Sequence, residues 1–184
     1  MHNLNEEVFR LVFGWAYKNV WLDRLGVFAA EYLPYILFLS ALVLIFSEAG
    51  WRRRIFFFSQ LILVLVLARG IIVEAVHFFY PVARPFVALG FSPLIFESGQ
   101  AFPSSHAAIF FGLATVVFYL NRKWGGWYFI FSTLMVAARV FTGVHWPIDV
   151  LAGALIGAIS GVVVFQVVDI YFKKITVPKI SKLT

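Results

Sequence analysis

The chain has 184 residues, of which 62% are hydrophobic and 13% charged, and its mean hydropathy is +0.91. Soluble domains carry about a quarter charged residues, so this composition excludes an ordinary soluble domain and predicts a polytopic membrane protein. The net charge of +6 does not indicate nucleic acid, because Lys and Arg fall in short clusters between apolar runs, and the lack of cysteine removes disulfides and thiolate metal sites.

Residues 4–17 come first in chain order. Val8, Leu11, Val12 and Trp15 recur at helical spacing opposite Glu6, Glu7 and Arg10, in a run too short to span. An amphipathic helix lying at the interface is expected within residues 1–18. A helix needs about 20 apolar residues to cross the hydrocarbon core. Stretches at about 25–47, 55–80, 125–143 and 148–172 meet or approach that length, and a shorter one at 104–121 is uninterrupted by charge. The expected fold is therefore an all-α membrane bundle of about five spans, with residues 1–184 forming a single domain.

Arg52 to Arg54 lie between spans one and two, Arg122 and Lys123 between three and four, and Lys173, Lys174, Lys179 and Lys182 follow span five. All three clusters fall on one side, which the positive-inside bias makes cytoplasmic, with residues 173–184 as a cytoplasmic tail. The N-terminus, the loop at 81–103 and the HWPID turn at 145–149 then lie outside. The first apolar run is long and is followed by arginines, which suits a stop-transfer span rather than a cleavable signal. On span five, Gly153, Gly157 and Gly161 form a GxxxGxxxG face. Such a face admits close approach by another helix, from the same chain or from a second copy in a homodimer.

Ionisable groups in a bilayer are costly and mark either function or structural pairing. Arg69 and Glu74 read as structural, with Glu31 an alternative partner for Arg69. Glu97 and Gln100 read as solvated loop residues. Five of the remaining groups gather in ARPF (83–86), FPSSHA (102–107) and ARVFTGVHWPID (138–149), all at one membrane face and similar depth. Arg84 and Arg139 offer planar forks for phosphate oxygens. Pro103, Ser104 and Ser105 resemble a helix start, whose free amides favour an anion. Pro147 suits a first helical turn and brings Asp149 within reach of His145, fixing the tautomer of a nucleophilic imidazole. His106 can give a proton to a leaving oxygen. The set suits phosphoryl transfer through histidine and requires no metal or cofactor.

These residues resemble the type 2 phosphatidic acid phosphatase (PAP2) superfamily, whose signature is KxxxxxxRP, PSGH and SRxxxxxHxxxD. The chain has Arg84 and Pro85, then Pro103 to His106, then Arg139, His145 and Asp149 at the family's spacing. It departs at His77, where the family has Lys, at Ser105 for Gly and at Ala138 for Ser. The resemblance implies that His145 is the nucleophile, Asp149 its orienting partner and His106 the general acid. Arg84, Ser104, Ser105 and Arg139 would bind the phosphoryl group, with His77 as an auxiliary contact. The N-terminal helix, LDRLGVFAAEYLPY at 22–35 and the missing Lys are similar to undecaprenyl-diphosphate phosphatases of the bacitracin-resistance type. That likeness implies a membrane lipid phosphatase acting at the outer face on a lipid (di)phosphate. Phosphatidate or phosphatidylglycerophosphate hydrolysis, phosphotransfer to another acceptor, and lipid transport are the alternatives.

Overall fold

A computed structural model describes the backbone of residues 4–176 and the side chains of residues 4–172. Lys179 and Lys182 of the expected tail lie outside the described residues, and residues 173–176 continue the last helix instead of starting a tail. Among the described residues all regular structure is helical: α1 (Leu4–Phe13), α2 (Val20–Glu31), α3 (Leu33–Ser47), α4 (Trp51–Val64), a π-helical segment (Leu65–Val73), α5 (Glu74–Phe79), α6 (Pro85–Leu89), α7 (Ser105–Leu120), α8 (Arg122–Phe141) and α9 (Pro147–Thr176).

α1 has two apolar sides. Phe9 is buried, with Val12 and Phe13 packed inward beside it, whereas Leu4, Val8 and Leu11 form an exposed stripe that the exposed Trp15 extends into the following turn. The first expected span starts earlier than foreseen, at Val20, and bends by 42° between α2 and α3. Pro34, in the first turn of α3, explains the bend: it has no N–H for the carbonyl of Ala30, and its ring crowds that carbonyl. α4, the π segment and α5 stack end to end as one rod, Trp51–Phe79. The wide π turn brings Arg69 beside Glu74, and these two form an ion pair, so Glu31 is not the partner of Arg69.

Trp51–Phe79 and Pro147–Phe172 are long and apolar enough to cross a bilayer, with mean hydropathies of 2.4 and 2.3, and the bent α2–α3 pair can count as a third span. The other two expected spans are present as helices of a different kind. α7 has 16 residues, about 24 Å at 1.5 Å per residue, short of a hydrocarbon core of about 30 Å. α8 opens on Arg122 and Lys123 and carries Arg139 near its end.

α7 is the central helix, packed by α9, α8, α4, the π segment and α3. Most of it is buried, with Phe118 exposed near its end, and it is apolar nearly all round, as suits a core helix. Its closest neighbour is α9. A Cβ on Gly153 would overlap the carbonyl oxygen of Ser104, and one on Gly157 that of Ala108, while Gly161 sits against Thr115. The partner of the glycine face is thus α7 of the same chain, which closes that face to the homodimer considered from sequence.

Candidate active site

The site is built around the turn from α8 to α9. Gly143, at φ +89, follows the end of α8. The Val144 N–H donates to the Arg139 carbonyl at 3.2 Å and the Gly143 N–H to the Val140 carbonyl at 3.1 Å, the bond pair of a Schellman cap. Pro147 then opens α9, at a position where a missing N–H costs nothing. Trp146 ahead of it has no side-chain acceptor for the first free amides, so they are satisfied from elsewhere. Asp149 Oδ2 accepts from the Trp146 N–H at 2.8 Å, and Asn5 Oδ1, reaching over from α1, accepts from the Ile148 N–H at 3.0 Å. Phe9 of α1 packs on the Trp146 ring, 5.1 Å between centroids.

His145 is thereby held between two helix ends, its Nδ1 3.4 Å from Asp149 Oδ2. Exposure is 2% for His145 and 0% for Asp149. Burial, followed by the nearby charges of Arg139 and Arg84, pushes the His145 imidazolium well below the usual histidine range. The ring is therefore neutral near pH 7. Nδ1 lies toward Asp149 without a hydrogen bond in this geometry, and a proton held there would leave the lone pair on Nε2.

The start of α7 adjoins that nitrogen. Ser104 caps the helix, its Oγ accepting from the Ala107 N–H at 3.4 Å, and its own N–H donates to the Asp149 carbonyl at 2.9 Å. The same Oγ is 3.3 Å from His145 Nε2. His77 Nε2 lies 3.0 Å from the Pro103 carbonyl, so α5 supports this turn from behind. Ser105 is the first residue of α7 and half-buried.

Arg84 caps α6, immediately before Pro85. Its Nε and Nη2 donate to the carbonyls of Gly99 and Ser98, both at 3.2 Å, and its Nη1 to that of Val144 at 3.0 Å; Nη1 is also 3.4 Å from His145 Nε2. Burial lowers its pKa to about 10, which leaves it cationic at neutral pH. Arg139 Nη1 donates to the Ala30 carbonyl at 3.3 Å, the group that Pro34 deprives of a helical partner.

Both arginines converge on Glu97. Its Oε2 accepts from Arg84 Nη1 at 3.1 Å and from Arg139 Nη2, and its Oε1 is 3.7 Å from His106 Nδ1. The expectation of a solvated Glu97 is thus corrected: two buried guanidiniums side by side require a counter-charge, and this loop carboxylate supplies it. From Glu97, His106 and Arg139 a cavity of ≈ 760 Å³ extends between the α2–α3 bend and α7, past Glu31, Phe38 and Phe110.

Six of the residues singled out from sequence, His145, Asp149, His106, Arg84, Arg139 and Ser104, meet at one end of the bundle. Ser105 and His77 flank them. Glu97 was missed, and its one signal was that Arg84 is the sole other charge between residues 81 and 103. Residues 57–173 match the PAP2 superfamily. The chain belongs to that superfamily.

The undecaprenyl-diphosphatase BcrC of Bacillus subtilis (strain 168) is 30% identical to this PAP2 protein over 170 residues, covering 91% of this chain and 86% of its own. The bacitracin transport permease protein BcrC of Bacillus licheniformis is 29% identical over 180 residues, 97% of this chain and 83% of its own. The crystal structure of Aquifex aeolicus LpxE superposes with a TM-score of 0.72 at 29% identity, over 90% of this chain and 96% of that one. As a PAP2 protein the chain is a membrane lipid phosphatase, a hydrolase.

Proposed function

We propose that this phosphatase, a single membrane-embedded unit, removes the terminal phosphate of undecaprenyl diphosphate at the extracytoplasmic face, through a phosphohistidine at His145. The observation that carries the reading is the buried imidazole of His145, with Nδ1 3.4 Å from Asp149 Oδ2 and Nε2 beside Ser104 and Arg84. The substrate is taken from the Bacillus subtilis relative's name and from a cavity whose polar end holds His106 and Arg139 and whose walls are mostly apolar.

In the proposed reaction His145 Nε2 attacks phosphorus. The N–P bond forms as the P–O bond to the lipid phosphate breaks, and His106 protonates the departing oxygen. Water then attacks the phosphohistidine while His106 takes its proton, and the N–P bond breaks to release inorganic phosphate and neutral His145. Arg84, Arg139, Ser104 and the Ser105 amide hold the non-bridging oxygens, whose growing charge the arginines offset without a metal. His77 supports the Pro103 turn.

The Bacillus licheniformis relative is named a permease. A transport path needs polar groups along the bundle. Among the described residues the buried charged or histidine side chains, Arg84, Arg139, His145 and Asp149, gather at one end, and the polar ones buried further along, such as Gln60, Thr115 and Ser160, are uncharged. Hydrolysis is the better-supported reading.

The test is phosphate release by purified protein, with a metal chelator present, from undecaprenyl diphosphate, phosphatidate and phosphatidylglycerophosphate side by side. Undecaprenyl diphosphate is expected to give the highest kcat/KM. A preference for either glycerolipid would reassign the substrate, and full loss on chelation restored by Mg²⁺ would overturn the metal-free mechanism.

A further inference from the structure

Glu97 has no part in the reaction proposed above, yet the phosphate-binding groups converge on it. We infer that Glu97 is a specificity-determining residue, whose carboxylate stands in the phosphoryl position and excludes phosphodiester lipids; the inference rests on the phosphatase reading of the same site.

The contacts are those an incoming phosphate would make. Glu97 Oε2 is shared by Arg84 Nη1 and Arg139 Nη2, and Oε1 faces His106 Nδ1. A carboxylate and a phosphate present similar acceptor oxygens to a guanidinium fork, so both cannot be held there at once. The loop around Glu97 is pinned on both sides, by the Leu94 N–H to the Thr142 carbonyl at 3.0 Å and by the Ala101 N–H to the Val82 carbonyl at 2.9 Å. Exchange therefore needs only a rotation of the Glu97 side chain. Space for it exists, because Glu97 borders both the ≈ 760 Å³ cavity and a second one of ≈ 580 Å³ on the Arg84 side, beside Phe86 and Ser98.

Charge decides which anions win that exchange. Glu97 is tethered, so it competes at an effective concentration on the order of millimolar or higher. A phosphodiester lipid carries one negative charge, as Glu97 does, and gains nothing by replacing it. A terminal phosphate, with a second pKa of about 6, carries nearly two at neutral pH and is held more strongly by the same arginines. The distinction matters in a bilayer, where diester headgroups surround the site in large excess. Without Glu97, two arginines at the interface would bind them indiscriminately.

The test is competition in mixed micelles, using orthovanadate, phosphatidate (a monoester) and phosphatidylglycerol (a diester) as probes of undecaprenyl diphosphate turnover. With the native protein, vanadate and phosphatidate compete and phosphatidylglycerol does not. In Glu97→Gln the phosphatidylglycerol inhibition constant falls by about tenfold or more, and vanadate binds more tightly as well. Equal inhibition of the native protein by phosphatidylglycerol and phosphatidate would overturn the inference, and this comparison does not depend on the variant folding. So would a Glu97→Gln protein that unfolds at the native temperature and responds to all three probes as the native protein does. If the native protein neither turns over substrate nor binds vanadate, the phosphatase reading itself fails, an outcome distinct from lost selectivity in an active enzyme.

Discussion

His145 and His106 share one end of the bundle but differ in surroundings. His145 is buried, with its Nδ1 toward Asp149, whereas His106 is about one-third exposed and borders the cavity that leads away from the arginines. A nucleophile must be fixed and unprotonated; a proton donor must reach the leaving group. The division of labour predicts that His106→Ala lowers turnover of undecaprenyl diphosphate by about 10²- to 10⁴-fold. With p-nitrophenyl phosphate, whose leaving group needs little protonation, the loss should stay below about tenfold. Paired kcat/KM measurements decide it, and equal losses on both substrates would contradict the assignment. The His145–Asp149 pair was legible in sequence because Pro147 announces a helix start between them, which makes their spacing a local matter. Glu97 was not, because its role comes from meeting Arg139, whose position depends on the packing of α8.

At the scale of elements, small backbone features far from the chemistry set the site. Pro34 bends α2 against α3 and frees the Ala30 carbonyl that holds Arg139. Asn5 of α1 supplies the cap that Trp146 cannot give to α9. Neither contact could be read from sequence, since each joins segments more than a hundred residues apart. The Pro34 signal was itself present, but the continuous apolar run across it read as one span. The glycine face was legible as a face and not as a choice of partner. Its use against α7 predicts that Gly157→Leu, forced against the α7 backbone, destabilises the protein by more than about 3 kcal/mol. Gly126→Ala, where an added Cβ meets nothing within 4 Å, should be neutral or slightly stabilising. Thermal unfolding in detergent compares the two, and a Gly157→Leu protein with native stability would remove α9–α7 contact as the basis of the fold.

At the scale of the whole molecule, the histidines and arginines of the site lie at the start of α7, and a basic belt lies at its other end. Arg53 Nη2 donates to the Leu120 carbonyl at 3.3 Å, which sets the Arg52 to Arg54 turn beside the Arg122 and Lys123 turn. This charge separation was legible in the loops and is the basis of the proposed extracytoplasmic site, whereas the number of full crossings was not legible, because α7 is packed by five other segments and need not match the bilayer in length. As the chain has no cysteine, single thiols report sidedness cleanly. Ser98→Cys should react with an impermeant maleimide in intact cells and Lys123→Cys only after permeabilisation; the opposite pattern would invert the topology.

The proposed phosphoryl transfer to His145 leaves a covalent intermediate that can be trapped. The most direct measurement is a rapid alkaline quench of purified protein turning over undecaprenyl diphosphate, followed by digestion and mass spectrometry, since the N–P bond of phosphohistidine survives alkali. A phosphate adduct on His145, absent from His145→Ala together with turnover, is the predicted result. Undiminished hydrolysis by His145→Ala, or an adduct found on His106 instead, would contradict it.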